Sequence, residues 1–257
     1  MPIKEAPRKV TGAGTGSGGS GKYKRVLLKL SGESFCKPGG FGIGSEELHW
    51  IANEIREAAK LGTQIAVVVG GGNIIRGAQL AEAGHIHQAT ADHMGMLGTV
   101  INALALKEKL KELGNECRVM SAIEIRAVAE PFIRGRALRH MEKGRVVILA
   151  AGTGNPFFTT DTCAALRATE LECEILLKAT KVDGVYTADP KKDATAKRFE
   201  TLSFADALAK QLKIMDMTAL AMCQEHEIPV LVFDFNKSGN IARVIRGEQV
   251  GTLVTVR

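Results

Sequence analysis

The chain has 257 residues, of which 45% are hydrophobic and 24% charged, a composition typical of a globular domain. No apolar run approaches the ~20 residues that a membrane helix needs, which argues against a membrane partner. Of the net charge of +6, +5 falls within the first 25 residues, so we expect no basic groove for a specific nucleic-acid partner on the folded part.

The first 22 residues predict a disordered, basic tail rich in Gly and Ser, because they hold too little apolar surface to offset the entropy of ordering. Two phosphate-binding patterns overlap there: G-x-G-x-x-G from Gly14 and G-x-x-x-x-G-K from Gly16. A phosphate-binding turn of either kind leaves a buried strand and opens a helix, and neither flank fits. We therefore interpret this segment as a linker, and residues 23–257 as one domain. No apolar stretch typical of a secretory signal follows the basic start, which predicts a cytoplasmic protein.

Beyond the tail, apolar runs typical of buried strands alternate with amphipathic helical patterns. The strand candidates are RVLLKL (25–30), QIAVVV (64–69), CRVMS (117–121), RVVILAA (145–151), EILLKA (174–179), PVLVF (229–233) and TLVTV (252–256). A helix with Ser45 as its N-cap and Gly62 as its stop separates the first two. The other predicted helices cover about 91–113, 134–143, 160–170, 203–212 and 216–226. Such alternation predicts a three-layer α/β/α sandwich around a mainly parallel central sheet.

Ligands in such folds lie at the carboxyl ends of the strands, so the residues there are the candidates for chemistry. KLSGE follows the first strand. Lys29 supplies a cation near the strand end, and Gly32 allows the backbone to approach an anion closely. Taken alone, this pattern fits a solvated strand-end lysine equally well.

The second candidate is VVVGGGNIIRG, which runs from a buried strand into three glycines. The glycines, residues 70–72, can direct successive N–H groups at a phosphate, and Arg76 can add a charge-assisted contact. The alternative is a tight turn followed by a surface arginine.

The third candidate is the long loop GTGNPFFTTDT at residues 152–162. Its Phe157 and Phe158 also fit a plug of the core, and Asp161 also fits a helix cap. Three such loops at one edge of a sheet together predict a phosphate site.

The cysteines and histidines predict no metal site. The five cysteines are scattered without a C-x-x-C pair, and we expect reduced thiols. His85-x-His87 is the only close histidine pair in the sequence, and a surface loop explains it better than a zinc site.

With these motifs, the sequence from Tyr23 to Arg257 resembles the bacterial uridylate kinases of the amino acid kinase superfamily. The resemblance rests on KLSGE, GGGNIIRG, DHMGML, GTGNPFFTTD and KATKVDGVYTADP. It implies transfer of the γ-phosphoryl group of ATP to UMP, giving UDP and ADP in pyrimidine nucleotide biosynthesis, with Mg²⁺. It also implies a homohexamer, and GTP and UTP as possible effectors.

The resemblance also assigns residues by position. Lys29, Arg76 and Asp161 are the catalytic candidates, with Asp161 orienting catalytic lysines. The ATP candidates are Lys29, Leu30, Ser31, Gly32, Gly72, Arg76, Thr180, Tyr186 and Asp189. The UMP candidates are Gly71, Asp92, Thr153, Gly154, Asn155, Pro156, Phe157, Phe158, Thr159 and Thr160. For Asp92, which the resemblance assigns to the ribose, an N-cap of the predicted 91–113 helix is the structural alternative.

Two alternatives to a uridylate kinase stay open. One is a carbamate, glutamate or aspartate kinase of the same fold, against which NPFFTTD speaks. The other is a non-catalytic storage or sensor protein that binds a nucleotide, against which Lys29 and Asp161 speak. The basic set Lys107, Lys111 and Arg118 is either regulatory or simply solvated, so the effector site stays undecided.

Overall fold

The computed structural model describes residues 21–75, 82, 84, 86–190, 192–193 and 195–256. Residues 1–20 of the predicted tail, with most of its glycine motif, lie outside the described residues. Gly21 and Lys22 contact the folded part, since their backbone N–H groups donate to Leu61 O at 3.2 Å and to Ile245 O at 2.7 Å. The predicted division into a tail and one domain stays a prediction.

Among the described residues, nine strands form a single sheet. In chain order they are β1 (Arg25–Leu30), β2 (Gln64–Val69), β3 (Cys117–Ser121), β4 (Glu130–Pro131), β5 (Val146–Ala150), β6 (Ile175–Thr180), β7 (Thr201–Ser203), β8 (Val230–Asp234) and β9 (Thr252–Thr255). Their spatial order is β4-β3-β5-β2-β1-β6-β8-β9-β7. Neighbouring strands pair in parallel except β8 and β9.

Helices cover both faces of this sheet. They are α1 (Ser45–Ala59), α2 (Gln88–Glu112), α3 (Arg134–Glu142), α4 (Thr160–Glu170), α5 (Phe204–Ala209), α6 (Met217–Glu225) and α7 (Asn240–Ile245), with a short 3₁₀ helix at Gly32–Phe35. Buried residues of α1, α2 and α7 pack with Val26, Leu28 and Leu30 of β1, whereas those of α3 to α6 pack on the opposite face with Leu27. The strand alternation thus supplies two cores, and the predicted three-layer fold is confirmed.

The differences from the predicted elements lie in short segments and helix ends. The two-residue β4, the three-residue β7 and the six-residue α7 were not predicted, because such short segments carry too few residues to show a period. The predicted Ser45 N-cap is wrong: Gly44 occupies that position without a side-chain cap bond, and Ser45 is the first helical residue. None of the described helices meets the length and hydropathy needed to span a membrane.

Candidate active site

Two lysines from adjacent strands share one carboxylate at the edge of the sheet. Lys29 in β1 and Lys178 in β6 are register partners, so their side chains leave the sheet side by side. Asp161, in the first turn of α4, lies 2.8 Å through Oδ1 from Lys29 Nζ and accepts a 2.6 Å hydrogen bond at Oδ2 from Lys178 Nζ. Lys178 was not among the predicted site residues, although its place in EILLKA, aligned with Lys29, is a signal that could have indicated it.

This cluster carries two positive charges and one negative charge in a largely buried position. Burial raises the pKa of Asp161, but the attraction of Lys29 and Lys178 outweighs it, and the pKa ends below its ordinary value. Burial also lowers the pKa of Lys178, an effect that Asp161 only partly opposes. Lys178 Nζ is further held by Ile214 O at 2.5 Å. The excess positive charge is suited to an anionic ligand such as a phosphate.

Beside the cluster, the turns after β1 and β2 touch each other through their backbones. A Cβ added to Gly32 would lie 2.5 Å from Gly72 N, and one added to Gly70 would lie 2.6 Å from Gly32 N. Any side chain at either position would force these turns apart. The glycines are therefore required by the close approach of the turns after β1 and β2.

A cavity of about 300 Å³ lies at this edge of the sheet and brings together the three predicted loops. Nine of the predicted site residues line it: Ser31, Gly32, Gly71, Gly72, Asp92, Thr153, Phe158, Thr159 and Thr160. Its size is at the lower end of the range for small-ligand sites in proteins.

Asp92 joins the helix α2 to the loop after β5. Its Oδ2 accepts a 2.7 Å hydrogen bond from Phe157 N, and its Oδ1 accepts one of 2.7 Å from Gln88 Nε2. The N-cap alternative for Asp92 is wrong, because α2 begins at Gln88 and His87 is its N-cap. His87, which the sequence placed in a surface loop, is exposed and caps α2 from the residue before it, while His85 lies outside the described residues.

The loop itself, residues 152–159, is shaped by positive φ angles at Gly152, Gly154 and Phe157, and by the Thr153 hydroxyl, which accepts from Asn155 N at 3.2 Å. Phe157 and Phe158 are 71% and 50% exposed, so neither plugs the core. Pro156 lies in the same loop, directly before Phe157. The exposed rings of Phe157 and Phe158 next to the cavity are available to a ligand.

Asp216 ties the end of this loop to a distant helix. It is the N-cap of α6 and also accepts hydrogen bonds from Thr159 Oγ1 at 2.5 Å and Thr162 Oγ1 at 2.9 Å. Thr159 is in turn the N-cap of α4, so Asp161 is not the cap of that helix. Asp216 was missed by the sequence analysis, because it meets the loop only through the tertiary fold.

Five of the predicted ATP residues are described but do not line the cavity: Lys29 and Leu30 end β1, Thr180 ends β6, and Tyr186 and Asp189 lie in the segment after β6. Thr180 Oγ1 donates to Val182 O at 2.7 Å, and Tyr186 OH donates to Asp183 Oδ1 at 2.7 Å. The Asp189 carbonyl accepts from two following N–H groups. Leu30 is fully buried, which leaves only its backbone for a nucleotide. Arg76 lies outside the described residues.

The amino acid kinase family model matches residues 24–234. Solved structures of three kinases are similar along most of the chain. A UMP kinase from Bacillus anthracis is 42% identical with a TM-score of 0.88, over 91% of this chain and 96% of its own. A UMP kinase from Ureaplasma parvum is 38% identical with a TM-score of 0.85, over 90% and 98%. A uridylate kinase from Archaeoglobus fulgidus is 28% identical with a TM-score of 0.69, over 89% and 99%. The chain therefore belongs to the amino acid kinase family and, within it, to the UMP kinases.

Proposed function

We propose that the protein transfers the γ-phosphoryl group of ATP to UMP, giving UDP and ADP. The observation that carries this proposal is the buried Lys29–Asp161–Lys178 cluster beside two touching glycine turns and a cavity. Phosphoryl transfer asks the protein for in-line placement of two phosphates and for cancellation of charge on the transferred group. Cations and N–H groups fixed in advance provide both.

In this proposal Lys29 and Lys178 face the transferred phosphoryl group. Asp161 acts as the orienting carboxylate, since each of its oxygens lies within 2.8 Å of one lysine. Gly71 and Gly72 direct N–H groups to the phosphates, and Arg76 adds a further cation. No general base is needed, because the attacking phosphate oxygen of UMP is already an anion at neutral pH.

The two nucleotides take different parts of the site. UMP enters the cavity, where Asp92 meets the ribose hydroxyls and the loop of residues 153–160 surrounds the base and phosphate. ATP lies against Leu30 to Gly32, against Thr180 at the end of β6, and against Tyr186 and Asp189 in the segment that follows. This assignment rests on the position of each residue in the family motifs and on the cavity lining.

Mg²⁺ is proposed to enter with ATP as part of the substrate. Among the described residues, no group of three or more His, Cys, Asp or Glu side chains is placed to hold a metal. Asp161 is already occupied by two lysines. A small hard cation bound mainly by phosphate oxygens fits this donor set.

A homohexamer and a cytoplasmic location are also proposed. Leu97 and Ile101, one turn apart on α2, are each 48% exposed and offer an apolar contact face. The five cysteines are all free and buried, as expected in a reducing compartment. For GTP or UTP as effectors, the supporting feature is the set Lys107, Lys111 and Arg118, although Glu108 pairs with both lysines.

A coupled assay of ADP release tests the function. With ATP fixed, UMP, CMP, glutamate, aspartate and carbamate are offered separately as acceptors. We expect UMP to give the highest kcat/KM. A higher value with an amino acid or carbamate would replace the proposal with another kinase of this fold, and ATP binding without transfer to any acceptor would favour the sensor alternative.

A further inference from the structure

Two buried asparagines form a closed amide pair behind the glycine turn. Asn73, in the turn after β2, is 1% exposed, and Asn102, in α2, is 0% exposed. Asn73 Nδ2 donates to Asn102 Oδ1 at 3.0 Å, and Asn102 Nδ2 donates to Asn73 Oδ1 at 2.6 Å. Each side chain thus acts as donor and acceptor toward the other.

The remaining amide protons of the pair go to two backbone carbonyls. Asn102 Nδ2 also donates to Gly70 O at 2.8 Å, and Asn73 Nδ2 donates to Gly42 O at 2.7 Å. Exchanging oxygen and nitrogen in either side chain would set an amide oxygen against a carbonyl oxygen, so this network fixes both orientations. All four N–H bonds of the pair are used, which makes the arrangement well determined.

The bond from Asn102 to Gly70 O has a consequence for the phosphate site. The carbonyl of Gly70 and the N–H of Gly71 belong to one planar trans peptide and point in opposite directions. A carbonyl held by a buried side chain in α2 therefore directs the next N–H away from that side chain. Gly71 lines the cavity, so an N–H directed away from Asn102 can meet a phosphate bound there.

Such an external constraint is needed because the turn consists of glycines. Glycine has little intrinsic preference among backbone conformations, so Gly70 and Gly71 do not by themselves fix the orientation of the peptide between them. Asn73 also lies close to the turn after β1, since its Oδ1 is 2.7 Å from the place that a Cβ of Gly32 would occupy. The pair thus sits where the two phosphate-binding turns meet.

We propose that the Asn73–Asn102 pair positions the phosphate-binding turn, by holding the peptide between Gly70 and Gly71 with its N–H toward the acceptor phosphate. These are positioning residues, since they act through the backbone of the turn. The inference rests on the proposed kinase function. It adds that two residues behind the site are needed to orient the peptide between Gly70 and Gly71.

The test compares Asn102→Leu with Asn240→Leu. Leucine has the same number and branching of side-chain heavy atoms as asparagine, with bulkier methyl groups, and it provides no donor. Asn240 is a matched control: it is 2% exposed and its Nδ2 donates to a backbone carbonyl, Asp234 O, at 2.8 Å, at the start of α7 and outside the cavity lining. We expect both variants to lower the melting temperature. Only Asn102→Leu should raise the KM for UMP and lower kcat, for a combined loss in kcat/KM of ~10- to 100-fold.

Equal kcat/KM values for the two variants, measured well below both melting temperatures, would overturn the inference. If Asn102→Leu does not fold, Asn73→Leu tests the same pair, because it frees the Asn102 amide to turn away from Gly70 O. Asn73→Leu should then lower kcat/KM more than Asn240→Leu does. A loss equal to that of the control would reject the pair. A wild-type protein that does not phosphorylate UMP would instead reject the proposed function, so the two failures are distinguishable.

Discussion

At the scale of single residues, the site depends on charges that are close together and shielded from water. Lys29 is only 8% exposed, and the side chains of Lys178 and Asp161 are 13% and 16% exposed. Attraction between such groups is stronger than on the surface, but each of them costs free energy to bury. The three charges are therefore expected to matter for stability as well as for transfer.

Lys29→Ala should lower kcat by ~100-fold or more, because it removes a cation fixed in advance at the transferred phosphoryl group. Steady-state kinetics with ATP and UMP measure this, and circular dichroism checks that the fold is intact. Lys109→Ala is the control, since that lysine also pairs with a carboxylate, Glu112, and its side chain is 18% exposed. A folded Lys29→Ala enzyme with a near-normal rate would remove Lys29 from the mechanism.

Asp161→Asn should reduce the free energy of unfolding at pH 7 by up to about 3–5 kcal/mol, because it leaves two lysines without their shared anion. The pKa of Asp161 is lowered in the folded state, so its contribution is present above the ordinary pKa of about 4 and is lost as pH falls through the folded value. The difference between wild type and variant should therefore shrink on acidification. Urea unfolding at neutral and acidic pH measures it, and a constant difference would contradict this account.

At the scale of elements, the N-termini of α4 and α6 are joined by one side chain. Asp216 caps α6 through Ala219 N at 2.9 Å while holding the hydroxyls of Thr159 and Thr162 in α4 and the loop before it. The loop that lines the cavity thus takes part of its position from a helix that does not touch the cavity.

Asp216→Ala should lower the free energy of unfolding by about 1–2 kcal/mol through the lost cap, and should raise the KM for UMP by ~10-fold through the loosened loop. Ser203→Ala is the control. Ser203 is the N-cap of α5, and its Oγ accepts a 2.9 Å hydrogen bond from Asp206 N that alanine would remove. This variant should cost similar stability without a change in KM. If both variants change the KM for UMP equally, the hydrogen bonds between Asp216 and the loop have no specific effect on UMP binding.

At the scale of the whole molecule, the candidate residues lie together near the carboxyl ends of the strands, whereas two apolar side chains of α2 are exposed. Exposed Leu97 and Ile101 in a long helix favour burial against another copy of the chain.

Leu97→Asp combined with Ile101→Asp should lower the molecular mass in solution, because two carboxylates would have to be buried in the contact. Multi-angle light scattering measures the mass. Val256→Asp, which alters a residue 42% exposed near the C-terminal strand, is the control and should leave the mass unchanged. An unchanged mass in the double variant would reject this helix face as the contact of the proposed oligomer.

A variant that lacks residues 1–20 should retain its kcat and its KM for both nucleotides. The reason is that the described cavity is lined by turns that follow the strands and by α2, all of them beyond residue 30. The same coupled assay measures it. A large loss of activity would revive the overlapping glycine patterns of the tail as a nucleotide site.

The sequence by itself determined seven of the nine described strands, the mainly parallel sheet and the three loops, because burial and turn chemistry leave local periods and glycines that can be read one segment at a time. It did not identify Lys178, Asp216 or the Asn73–Asn102 pair as parts of the site. Their partners lie 17 to 57 residues away, and the contacts exist only because the sheet order brings β1 next to β6 and α2 behind the turn after β2. Local patterns thus identify the groups that contact a ligand, while the tertiary structure decides which other residues hold those groups in place.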